Sequence, residues 1–111
     1  MASRILSNYL LSNRKQLALS QDEVAFLLGS RGGEKISLYE KFKRVPSLKA
    51  ALALEAMYKV SVSELFGGLY REIDEEVAGR AKVLLFRKDR KANARAAHRR
   101  KSLTKIAGKK N

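Results

Sequence analysis

An all-α fold follows from three observations on the sequence. Apolar residues recur at three- and four-residue steps, and no stretch sustains the apolar–polar alternation of a half-buried strand. Ser20-Gln21-Asp22-Glu23 and Ser61-Val62-Ser63-Glu64 are capping boxes, the local signature of a helix start. Gly and Pro, at 7 and 1 among 111 residues, are too few for a loop-rich protein. The expected architecture is a compact five-helix domain with a C-terminal helical extension and a basic tail.

Ile5, Leu6, Tyr9 and Leu10 mark a first helix that runs through Arg14 toward Leu17. Ser20 caps a second, whose hydroxyl can accept from the Glu23 N–H while the Glu23 carboxylate reaches back, with Val24, Leu27 and Leu28 as its apolar face. Gly29 stops it, since glycine enters the left-handed conformation without a Cβ penalty. Residues 30–33 read as a turn, and a third helix follows from about Glu34 to Lys41 with Ile36 and Tyr39 facing inward. Pro46 forbids continuation, and Ser47 caps a fourth helix whose apolar residues include Leu48, Leu52 and Met57. The fifth opens at Val62. Phe66, Leu69, Ile73, Val77, Ala81 and Leu84 extend its stripe, which over residues 62–87 would span about 39 Å at ~1.5 Å per residue. Gly67-Gly68 and Gly79 are candidate breaks, each costing about 1 kcal/mol in a helix interior. The expected division is therefore 1–68 as a domain, 69–86 as a helical extension suited to dimerisation, and 87–111 as a basic tail, helical on a partner and disordered without one.

Charge is the first clue to function. The formal net charge is +13. Residues 1–86 hold 13 basic and 10 acidic side chains, whereas residues 87–111 hold 11 basic and one acidic. A polyanion is the simplest partner for such a segment. The absence of cysteine excludes disulfides and thiolate metal sites. The N-terminal segment has no apolar run suited to a signal peptide or membrane span, so a cytoplasmic protein without membrane association is expected. Enzyme chemistry finds no support: the one histidine, His98, sits among arginines, and neither a phosphate-binding glycine loop nor metal-ligand spacing occurs. Neither catalytic residues, nor a metal, nor a cofactor is expected. Asp74, Glu75 and Glu76 are contiguous and so point apart on a helix, as a solvated acidic face.

Two short helices joined by a glycine-containing turn form a helix-turn-helix pattern. The stretch from Leu17 to Phe66 resembles the phage repressor/Cro (XRE-like) helix-turn-helix family. The resemblance rests on Leu19-Ser20-Gln21, Val24-Ala25, Leu28-Gly29, Ile36-Ser37, Tyr39-Glu40, Pro46-Ser47-Leu48 and Val62-Ser63-Glu64-Leu65-Phe66, and it covers about residues 5–70. It implies a repressor-type fold and sequence-specific binding of double-stranded DNA, as a dimeric transcriptional repressor in a bacterial or phage-type cytoplasm at the nucleoid. By the same resemblance Gln21, opening the second helix, holds a backbone phosphate. The third helix becomes the recognition helix, on which Gly33, Glu34, Lys35 and Leu38 face base edges and Ser37 joins the DNA-binding set. Lys35 would donate to guanine, Glu34 accept from cytosine N4, and Leu38 pack on a thymine methyl. Lys41, Lys43 and Arg44 fall where the family contacts phosphates. Arg14 and Glu40 are the expected structural ion pair.

Two departures from the family bear on these assignments. Six residues separate Gly29 from Ile36, one more than usual, which predicts a longer, looser turn and brings Arg31 toward the DNA as an extra donor. Phe42 stands where the family usually carries glycine, which predicts strain or another path for that loop. Val24, Ala25, Leu28, Ile36, Tyr39, Leu52 and Leu65 are expected in the core. The stripe with Leu69, Ile73, Val77 and Leu84 has two readings, a homodimer seam or a helix folded back on its own domain. Two other functions stay open: an antitoxin-type protein that binds DNA and a protein partner through residues 69–111, and a less specific architectural DNA binder.

Overall fold

The computed structural model describes residues 8–87 and 91–108, and these form seven helices with no strand among them. The chain divides into two compact units, residues 1–70 and 71–111. The first holds α1 (Leu10–Gln16), α2 (Gln21–Leu27), α3 (Glu34–Glu40), α4 (Leu48–Tyr58) and α5 (Val62–Leu65). α6 (Gly67–Phe86) begins in the first unit and ends in the second, which also contains α7 (Ala94–Ile106). Ile5 and Leu6, expected in the first helix, lie outside the described residues. No helix among the described residues is long and apolar enough to cross a membrane.

Local chemistry sets the helix ends of the first unit. Ser20 and Glu23 form the reciprocal box, at 3.0 Å for the Glu23 N–H on Ser20 Oγ and 2.8 Å for the Ser20 N–H on Glu23 Oε1. Ser47 caps α4 by accepting from the Ala50 N–H at 3.1 Å. At α5 the box takes a different form: Ser61 Oγ accepts from the Glu64 N–H and donates to the Glu64 carboxylate. The first three helices end alike. Ala18, Gly29 and Phe42 adopt φ of +59°, +79° and +53°, and the two N–H groups at each turn bond back to the last helical carbonyls (Ser30 N–H to Ala25, Gly29 N–H to Phe26; Lys43 N–H to Leu38, Phe42 N–H to Tyr39). These are Schellman ends, which normally recruit glycine. The loop after α3 thus takes the left-handed path with phenylalanine in it, at a cost of about 1–2 kcal/mol, and the Phe42 ring packs against the core in partial compensation.

The core of the first unit gathers Leu10, Val24, Ala25, Ile36, Tyr39, Leu54, Tyr58, Leu65 and Phe66, with Leu19, Leu28, Phe42, Met57, Val60, Val62 and Leu69 packed around it. Three apolar residues assigned to inner helix faces are outside. Leu52 is 53 % exposed, and Leu27 and Leu48 are also exposed. α4 turns Ala51, Leu54 and Tyr58 inward instead, and α2 buries Val24 and Ala25. The expected fifth helix is divided at Phe66, whose φ of −115° and ψ of 50° end α5, while Gly79 lies inside α6 without a break.

In the second unit the segment expected as a basic tail contains α7. Asn93 caps it, its Oδ1 accepting from the Ala96 N–H at 2.9 Å. Ala96, Arg100, Leu103 and Ala107 are its buried or half-buried positions, at steps of four, three and four. Arg100 Nη2 donates to the Leu85 carbonyl at 2.7 Å, tying α7 to the end of α6. Arg95, His98, Lys101 and Lys105 are exposed.

Candidate nucleic-acid interface

α3 is built with two faces. Gly33, Ile36 and Tyr39, at three-residue steps, are buried. The opposite positions Glu34, Lys35 and Lys41 are exposed, with Leu38 half-buried among them, so that these four residues form one outward stripe. Ser37 is half-buried on the flank. Arg31 in the preceding turn and Lys43 and Arg44 in the following one are exposed. Five basic side chains (Arg31, Lys35, Lys41, Lys43, Arg44) and one carboxylate, Glu34, thus mark out this surface.

Gly33 is a correction to the sequence expectation. It is buried rather than turned toward a ligand, and a Cβ placed on it would sit 2.8 Å from the Gln21 Cβ and 3.0 Å from the Gln21 carbonyl carbon. Glycine is required because the start of α3 presses on the start of α2. The turn is also not loose. Asp22 Oδ1 accepts from the Gly33 N–H at 2.9 Å, and the Schellman end of α2 holds Gly29 and Ser30. Asp22 is a site-building residue that the sequence does not announce.

Beneath the stripe lies a polar network. Arg14 Nε and Nη2 donate to Glu40 Oε2 and Oε1 at 2.6 and 3.1 Å, a two-pronged geometry that a guanidinium and a carboxylate fit in one plane. The side chains are 12 % and 5 % exposed. Arg14 Nη1 also donates to the Leu19 carbonyl at 3.0 Å, and Gln21 Nε2 donates to Glu40 Oε1 at 3.0 Å. Hydrogen bonding to Glu40 holds the Arg14 guanidinium above its usual pKa against the opposing effect of burial. The network joins α1, the start of α2 and the end of α3. Gln21 spends one amide N–H on Glu40 and keeps a second donor. The α2 N-terminus offers little to an anion, since the Glu23 N–H is taken by Ser20 and the first turn carries Asp22 and Glu23. Asn8 adds a further tie, donating to the Tyr39 carbonyl at 3.0 Å. The Tyr58 hydroxyl, near both charges of the pair, is buried without a hydrogen-bond partner among the described residues, and burial pushes its pKa up to about 12.

The stripe read either as a homodimer seam or as a helix folded back on its own domain is divided. Phe66 is buried in the first core, Leu69 packs against that core, and Ala81 is buried in the second unit. Ile73 and Val77 are exposed at 45 % and 46 %, and Leu84 is half-buried. Among the described residues no group of three or more His, Asp or Glu stands together as a metal site. The chain matches no protein-family model, no curated protein and no solved structure.

Proposed function

We propose that this chain is a helix-turn-helix transcriptional regulator, a dimeric repressor that binds double-stranded DNA in the cytoplasm through α3. The observation that carries the reading is the outward stripe Glu34, Lys35, Leu38 and Lys41, bordered by Arg31, Lys43 and Arg44 and seated on the Arg14–Glu40–Gln21 network. Such a stripe offers a base-reading helix its donors and acceptors, while the bordering cations suit phosphates. A network that fixes the helix from below limits the conformational freedom lost on docking. Lys35→Ala and Leu38→Ala are expected to weaken specific binding by about 1–3 kcal/mol each and to leave non-specific binding nearly intact. Gln21→Ala is expected to weaken both. Unchanged affinity and base preference in Leu38→Ala would remove α3 from the reading role.

An architectural, less specific mode is the second reading, favoured by the exposed Arg95, Lys101 and Lys105 on a helix without a single acidic residue. Competition by scrambled duplex as effective as by any selected sequence would favour it.

A further inference from the structure

The exposed side of α6 combines two features that select one occupant. Ile73 and Val77, one turn apart, are solvent-exposed, although the cores of the two units have taken up Phe66, Leu69 and Ala81 from the same helix or its start. Charge also reverses along the helix. Its first half carries Glu72, Asp74, Glu75 and Glu76 against one cation, Arg71, whereas Arg80, Lys82 and Arg87 lie in or just after its second half without a carboxylate among them. A parallel pairing of two such helices would set carboxylates against carboxylates. An antiparallel pairing sets the acidic half of each against the basic half of the other. A two-fold interface is self-complementary in this sense, each patch meeting its counterpart on the same surface of the second copy.

We propose that α6 is the homodimer seam and that two copies pair antiparallel about a two-fold axis close to Ala78–Gly79. The centres of the acidic and basic blocks lie on either side of that point. Ile73 then comes opposite Leu84 of the second copy, and the two Val77 side chains lie close to the axis. This deepens the dimeric part of the function proposed above. It is tested without DNA, so its failure leaves DNA binding by α3 standing.

The chain has no cysteine, so single cysteines report the geometry directly. At ~1.5 Å rise per residue, the two copies of position 77 lie about 5 Å apart along the seam, and those of position 73 about 16 Å apart. Disulfides need Cα atoms within about 7 Å, so Val77→Cys is expected to form a linked dimer at least about tenfold faster than Ile73→Cys. Ser63→Cys, exposed on α5, gives the background rate of random collision. Ile73→Cys mixed with Leu84→Cys is expected to cross-link faster than either alone. Equal fast cross-linking at 73 and 77 means a parallel seam and overturns the proposal. Rates at the Ser63→Cys background for both positions, or a monomeric wild type in sedimentation at micromolar concentration, overturn it as well.

Discussion

Among the described residues, replacing Arg14 by alanine removes two of the three hydrogen bonds that Glu40 receives, at 2.6 and 3.1 Å, and leaves the Gln21 amide at 3.0 Å. Glu40 is then a carboxylate with 5 % side-chain exposure and no opposing charge against it. The Leu19 carbonyl loses its guanidinium partner in the same step. Charge-assisted bonds are worth about 1.5–3 kcal/mol each, and stripping one partner from a buried pair costs about 3–5 kcal/mol. Both routes give a similar figure, a large part of the ~5–15 kcal/mol that holds a domain folded. At about 4–8 °C per kcal/mol in a domain of 60–100 residues, the melting temperature should fall by more than about 10 °C. Lys15→Ala, one position along on an exposed side chain, should stay within about 0.5 kcal/mol. Arg14→Lys keeps the charge but loses the planar fork, and should fall between them. Urea unfolding of the three variants, followed by circular dichroism, measures the differences. An Arg14→Ala stability within about 1 kcal/mol of Lys15→Ala would refute the claim that this pair anchors α3.

Three other outcomes are expected. Gly33→Ala should cost about 1–3 kcal/mol by overpacking, because its Cβ meets Gln21 at 2.8 Å, whereas Gly32→Ala, with nothing within 4 Å, should be close to neutral; equal unfolding midpoints would contradict the close approach of α2 and α3. Tyr58 titrates in the folded chain at about 12, above its ordinary 10, so the folded state holds a proton that the unfolded state releases. That contribution is complete below pH 10 and lost as pH rises through about 12, so Tyr58→Phe should show a shallower alkaline loss of stability than wild type, with parallel curves refuting it. Arg95→Gln, Lys101→Gln and Lys105→Gln together should flatten the slope of log affinity against log salt by up to about 0.9 for each phosphate left without its cation, and an unchanged slope would remove α7 from the DNA interface. Substitution is preferable to deleting 87–111, because Arg100 ties α7 to Leu85.

Features that depend on neighbours in sequence are legible, and those that depend on distant partners are not. The Ser20–Glu23 box and the Gly29 stop involve residues one to five positions apart, so their residue types announce them. Asp22 holding Gly33 spans 11 positions, and nothing in either residue type marks the bond. α4 is apolar nearly all round (Leu48-Lys49-Ala50-Ala51-Leu52-Ala53-Leu54), so periodicity could not choose between the Leu48–Leu52 face and the Ala51–Leu54–Tyr58 face that is buried. Phe42 in the left-handed region contradicts its own propensity, and the Schellman bonds with the packing of its ring override it. α7 escapes the pattern because its four inner positions include Arg100 and two alanines, which carry almost no hydrophobic signal. Its polar cap, Asn93, is the available clue. The Arg14–Glu40 pair, 26 positions apart, is suggested only by family resemblance, and the structure brings the two side chains together.

If α3 reads base sequence, the chain must prefer some duplexes over others. Incubating the full chain with a random library of duplexes, recovering the bound fraction and sequencing it over successive rounds tests this without presupposing an operator. Convergence on one short motif is expected, read as two symmetric half-sites if the chain binds as a dimer, with Lys35→Ala losing preference within the half-site. Recovery of bound duplexes whose sequences stay as random as the input would contradict it, and would assign the binding to phosphate attraction alone.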